Sequence, residues 1–363
     1  MGNDIRIEKE LLSPPGDTIQ ETLETIRMSQ AELAERMAYP KEKLNDLIKG
    51  REPLTRKNAL KLERVLSIPV SFWMNRENDY REELMRVEEL EKAERNKEWV
   101  KKFPLSKMKK IEILSDTRDY AMLYTEVLQF FSVGSPKAWE EIYLNEEVSA
   151  AFKISLAHTQ SPHALSVWLR MGELKSKEMN LPSYDETLFK KVLEEVKLIV
   201  KEQPDDFAQQ LQNNCASAGV AVLYTKGLPK APISGATWWK GGNPIIQLSG
   251  RYKTNDQFWF AFFHEAAHIL KHGKRAVFLE NVKGTPSDTE KEKEADQYAQ
   301  KMLFPPNALR FISRISPITE AVIFDFAKKY DTHPGIIVGQ LQHEGIISFK
   351  QLNQLKIKFD GLT

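Results

Sequence analysis

Residues 254–272 are TNDQFWFAFFHEAAHILKH. Thr254 with Gln257 three residues on is a capping box, which predicts a helix start. His264 and His268 are four residues apart, so they stand about 40° apart around a helix and one turn along it. Both imidazoles can then reach one ion. Glu265 points roughly a quarter turn away, where it can take a proton from a water that the ion activates. His-Glu-x-x-His on a helix is the zinc-peptidase pattern. Phe258, Trp259, Phe260, Phe262, Phe263, Ile269 and Leu270 surround the motif, so this helix is expected to be buried nearly all round. Two histidines and a glutamate are costly there without a partner, and a metal is the simplest one. The alternative is a pair of core histidines, each satisfied by a hydrogen bond.

A catalytic zinc takes three protein ligands and keeps a fourth position open. His272 continues the four-residue step, but it lies about 12 Å along the axis from His264 at about 1.5 Å per residue. One ion cannot bind both, so His272 is expected behind the ligands or facing substrate. The next helix begins at a second capping box, Ser287-Asp288-Thr289-Glu290, and is expected over about 288–304, before Pro305-Pro306. Its apolar stripe is Ala295, Ala299, Met302 and Leu303. At about 100° per residue, Glu292 and Asp296 fall on that stripe, whereas Glu290 and Glu294 fall among the lysines. Glu292 is therefore the expected third ligand. Asp296 can hold the free N–H of a liganding histidine. An oxyanion donor is also expected, with Tyr298 and His343 as candidates.

Upstream, Gly219–Tyr224, Gly235–Trp239 and Pro244–Leu248 are short β-rich runs. Lys240-Gly241-Gly242-Asn243 between the last two predicts a hairpin. Amphipathic helices are expected over 118–131, 138–154 and 164–179. This middle region carries few reactive groups and is read as a scaffold or sensor. A long helix is expected over about 70–102, rich in alternating charge from Arg81 to Lys102 and ended by Phe103-Pro104.

The 363 residues allow two or three domains. Net charge is +1, so any nucleic-acid surface has to be local. The single cysteine, Cys215, excludes a disulfide framework and a multi-cysteine zinc site. MGNDIRIEKELL lacks the apolar core of a secretory signal, and Arg6 breaks the myristoylation pattern. No apolar run is long enough to span a bilayer. A cytoplasmic protein is expected.

The runs GATWW, PIIQLSGRY, FWFAFFHEAAHILKHGK, EKEADQYAQKMLFPP and PGIIVGQLQHEG make residues 205–345 resemble the ImmA/IrrE family of metallopeptidases. The resemblance implies Zn2+ dependence, ligands at His264, His268 and Glu292, and a catalytic glutamate at Glu265. Asp296 stands where that family often has Asn. The resemblance also implies a substrate of the helix-turn-helix repressor kind, cut or antagonised under stress or in mobile elements. The resemblance also leaves room for a member without proteolysis.

Near the start, Ser29 caps a helix and Glu32 closes the box. Ala38-Tyr39-Pro40 turns the chain into a second helix ended by Gly50. Helix, short turn, helix is the layout whose second helix enters the DNA major groove. Leu44, Leu47 and Ile48 are expected to face a core. Lys41 and Asn45 can read base edges, while Gln30, Lys43, Lys49 and Arg51 can reach phosphates. The alternative is a helical bundle used for protein contact, since Glu42 and Asp46 repel phosphate. PPGDTIQETL, SQAELAERM, LNDLIKGREPLT and ALKLERVLSIPVSFWMNRENDY resemble the HigA-like branch of the XRE family, which implies a homodimer on a palindromic operator.

The expected fold is mainly α with a small β-sheet (α+β). An all-α helix-turn-helix domain occupies 1–80, a helical linker 81–104, a helical middle region 105–204, a zincin-like domain 205–345 and a tail 346–363. The expected function is a DNA-binding regulator fused to a zinc endopeptidase with a gluzincin-like third ligand. It would act on a repressor, an antitoxin or toxin, or itself. The alternative is a non-proteolytic, antitoxin-like repressor whose zinc domain senses a ligand or partner.

Overall fold

The computed structural model describes residues 9, 11–144, 161–228, 233–251, 253–273, 278–279 and 289–359. The chain divides into two compact units, Met1–Val100 with Asp116–Val127, and Lys101–Ser115 with Leu128–Thr363.

The first unit is built of helices α1 (Pro15–Ile26), α2 (Gln30–Arg36), α3 (Lys41–Ile48), α4 (Arg56–Leu66) and α5 (Val70–Arg95). Ile19, Leu23, Leu33, Leu44, Leu47 and Trp73 meet in its core. Ser29 Oγ accepts from the Glu32 amide at 3.1 Å, which starts α2. The expected return bond from the Glu32 carboxylate is replaced, because Arg36 one turn on donates to it at 2.7 Å. Ala38 takes a left-handed conformation at φ 44° and turns the chain between α2 and α3. The helix expected over 70–102 is broken at Asn96, whose amide side chain donates to the Lys92 carbonyl at 2.8 Å. A short helix α6 (Lys97–Lys101) follows.

The second unit begins with α7 (Leu105–Lys110), and the helix α8 (Tyr120–Phe131) ends in it. Helix α9 (Pro136–Tyr143) follows, with Ser135 Oγ accepting from the Ala138 amide at 3.2 Å. The remainder of the helix expected over 138–154 lies outside the described residues. Phe103, Phe131, Trp139, Tyr143 and His163 form an aromatic cluster, with His163 stacked on Trp139 at 4.5 Å. Helices α10 (Pro162–Lys177), α11 (Glu186–Glu202) and α12 (Phe207–Ser217) precede the sheet. Trp168 of α10 donates its indole N–H to the Thr225 carbonyl at 3.0 Å, and its own carbonyl accepts from Gln247 at 2.8 Å. Those two bonds fasten α10 to the sheet.

Strands β1 (Ala221–Thr225), β2 (Gly235–Lys240), β3 (Asn243–Ser249) and β4 (Phe278–Leu279) lie in the order β1-β3-β2-β4. β1 runs parallel to β3, and β2 is antiparallel to both β3 and β4. The β2–β3 hairpin turns at Gly241 and Gly242, with φ of 58° and 96°. A two-residue turn with both φ positive matches the twist of the strands, and glycine adopts it without steric cost.

Helix α13 (Asn255–His272) packs on this sheet and on α14 (Thr289–Leu303). Thr254 is its N-cap, but its side chain accepts no capping bond. The expected box is displaced by tertiary contacts. The Asn255 amide donates to the Ile357 carbonyl at 2.9 Å, and Asn255 Oδ1 accepts from the Ile357 amide at 3.1 Å. Phe258, Trp259, Phe262 and Phe263 of α13 are fully buried with residues of α11, α12, β1, β3 and α14. Each such phenylalanine contributes about 1.5–3 kcal/mol by burial. Helices α15 (Pro306–Ile312), α16 (Glu320–Lys329) and α17 (Pro334–His343) close a smaller apolar cluster with Phe304. The architecture is mainly helical with one small mixed sheet. No helix among the described residues is long and apolar enough to cross a membrane.

Candidate metal centre

His264 and His268 project from the middle of α13, and Glu292 faces them from the first turns of α14. One donor atom from each lies within 4.8 Å of the others. His264 Nε2 is 3.0 Å from His268 Nε2 and 3.2 Å from Glu292 Oε2, and His268 Nε2 is 3.7 Å from Glu292 Oε1. A tetrahedral ion with bonds of about 2.0 Å to nitrogen and oxygen holds its ligand atoms about 3.3 Å apart. The three spacings fit such an ion. Both histidine side chains are deeply buried, at 3% and 1% exposure, while Glu292 is 27% exposed.

The groups behind the histidines decide which ring nitrogens are open. Asp296 Oδ1 lies 2.9 Å from His264 Nδ1. A carboxylate only accepts, so Nδ1 carries the proton and Nε2 presents its lone pair to the centre. Behind His268 the chain of groups is longer. Its Nδ1 is 2.9 Å from His272 Nδ1, and His272 Nε2 is 3.1 Å from Glu294 Oε2. Glu294 accepts from His272 Nε2–H. With its one ring proton there, His272 accepts at Nδ1 from His268 Nδ1–H. His268 Nε2 is then left with its lone pair toward the centre. Burial, then the neighbouring His264 and His272, hold the His268 pKa down to about 2, so its ring is neutral and able to ligate.

Glu265 is fully buried one residue along from His264. Thr237 Oγ1 on β2 lies 2.6 Å from Glu265 Oε2. His343, at the end of α17, is exposed, with its ring 6.2 Å from Phe260, which is itself 6.3 Å from His264. Tyr298 packs against the main core cluster, and burial raises its phenol to about 12.

Two of these partners escape the sequence reading, and so does Gly235, where a Cβ would stand 2.5 Å from Glu265 Oε1. Glu294 projects with the lysines of α14 but meets His272 from the neighbouring helix. Gly235 and Thr237 sit two apart in β2, a spacing that puts them on one strand face, yet no local pattern ties them to Glu265. In the first unit Gln30, Lys41, Lys43, Lys49 and Arg51 are exposed and Asn45 is half-buried. Some are already paired: Gln30 donates to Gln20 Oε1 at 3.2 Å, Lys41 lies 3.6 Å from Glu35, and Arg51 binds the Asp46 carboxylate.

Residues 215–316 match the model of the peptidase family M78, described as the IrrE N-terminal-like domain. The matched stretch takes in the end of α12, the described strands, α13, α14 and α15. No curated protein matches the chain. Family match and geometry agree on a metallopeptidase-like domain with a possible His-His-Glu metal site.

Proposed function

We propose that the second unit is a zinc-dependent endopeptidase. The observation that carries this reading is the convergence of two histidine Nε2 lone pairs and one carboxylate, with both Nδ1 protons engaged behind them. When bound, the ion supplies a Lewis acid that polarises the scissile carbonyl and lowers the pKa of water. His264, His268 and Glu292 hold it. Glu265 accepts the proton of the attacking water and hands it to the leaving amine.

The first unit serves in this reading as an operator-binding module acting as a homodimer in the cytoplasm. Lys41 and Asn45 of α3 read base edges, with Gln30, Lys43, Lys49 and Arg51 on phosphates. The peptidase substrate is a repressor- or antitoxin-type protein, or the chain itself. The complete burial of Glu265 favours a second reading, in which the zinc domain senses a ligand or partner without cutting. Incubation of the zinc-loaded chain, alone and with the product of a neighbouring gene, separates the two. Fragments that form in wild type and not in Glu265→Gln support the peptidase. No fragments from either protein supports the sensor.

A further inference from the structure

The Glu265 carboxylate is buried between α13 and β2, and the strand meets it at two positions of one face. Thr237 Oγ1 lies 2.6 Å from Glu265 Oε2 and 3.2 Å from the Glu265 carbonyl oxygen. A hydroxyl has one proton, and the shorter contact to the charged acceptor takes it. Thr237 is itself buried, with 1% exposure, so water does not compete for that bond. Two residues earlier, a Cβ on Gly235 would stand 2.5 Å from Glu265 Oε1 and 3.0 Å from its Cγ. A contact under 3 Å cannot be held, so the absence of a side chain at 235 makes the room that the carboxylate fills. Register places these residues at fixed heights: Gly235 pairs with Leu248, and Thr237 with Ile246 and Phe278.

We infer that Gly235 and Thr237 form a strand-borne clasp, in which Thr237 is the positioning residue of Glu265 and Gly235 admits its carboxylate. Strand β2 thereby sets where the proton-carrying oxygen sits relative to the two histidines. A buried carboxylate without a donor is costly and turns toward another partner. The inference rests on the peptidase reading only for its effect on rate; the placement of the side chain is independent of it.

The test compares wild type, Thr237→Val, Thr237→Ser, Gly235→Ala and Glu265→Gln, all zinc-loaded. Crystal structures read the Glu265 rotamer, metal analysis reads zinc content, and unfolded casein is the probe for kcat and KM. Thr237→Val is expected to move the Glu265 carboxylate and to lower kcat about tenfold to a hundredfold, the range for a reacting group misplaced by about 1 Å. Zinc content and KM stay at wild-type values, and Thr237→Ser restores both rotamer and kcat. Gly235→Ala moves the same carboxylate by crowding. A Glu265 rotamer unchanged in Thr237→Val overturns the inference, whatever the rates. Equal casein cleavage by wild type and Glu265→Gln overturns the peptidase reading instead, while the rotamer comparison still decides the clasp.

Discussion

His272 Nδ1 lies 2.9 Å from His268 Nδ1, although the two residues are one helical turn apart on α13 and point the same way. His272 therefore backs the candidate metal site from within the same helix. Glu294, 3.1 Å from its other nitrogen, sets its tautomer from α14. His272→Ala and Glu294→Ala are expected to weaken zinc binding about tenfold to a hundredfold, the usual effect of losing such a supporting partner. Competition with a chromophoric chelator measures this. Wild-type affinity in both variants would remove the two residues from the metal site.

Asp296 supports His264 by accepting one hydrogen bond, and an amide oxygen can do the same. Asp296→Asn is expected to keep zinc affinity within a few-fold of wild type. Asp296→Ala is expected to lose about tenfold to a hundredfold. Glu292→Ala loses a ligand outright and should abolish the rise in melting temperature that zinc gives wild type. Thermal unfolding with and without zinc reads all three.

His163 makes the acid stability of the second unit sensitive to pH. Burial in the aromatic cluster, and Lys102 nearby, hold its pKa down to about 4, against an ordinary 6.5. Between these values the unfolded chain binds a proton that the folded one refuses, so stability falls as pH drops from 6.5 toward 4. Above 6.5 both states are neutral and the effect is gone. His163→Phe keeps a ring on Trp139 and should lose less melting temperature between pH 7 and pH 5 than wild type. An equal loss in the two proteins would place the acid sensitivity elsewhere.

The operator binding proposed for the first unit is testable residue by residue. Lys43→Ala is expected to weaken binding to all sequences and to lower the salt slope by about one. Asn45→Ala is expected to cost about 1–3 kcal/mol on the preferred site and to relax specificity there. Titrations at several salt concentrations distinguish the two. No binding at low salt by wild type would remove the operator role.

What was legible in the sequence was what local pattern controls. The Gly241-Gly242 turn requires positive φ, and the apolar envelope of His264–His268 requires burial. The stripe of Ala295, Ala299 and Leu303 singles out Glu292 by helical angle alone. What was illegible depends on which elements meet. Thr254 reads as a capping residue, yet the start of α13 is held by Ile357, more than a hundred residues on. Glu294 reads as a solvated charge until α14 is laid beside His272. Gly235 and Thr237 read as ordinary strand residues until β2 is laid against Glu265. Single-element periodicity brings out His264, His268, Glu292 and Asp296, whereas the contacts of Glu294, Gly235 and Thr237 come from packing between elements.

Mass spectrometry of zinc-loaded wild type and Glu265→Gln, after incubation alone and with the neighbouring gene's product, decides whether the second unit cuts. One zinc per chain is expected in both proteins, with new peptide termini in the wild-type sample alone. Zinc absent from wild type, or the same fragments from both proteins, would contradict the peptidase reading.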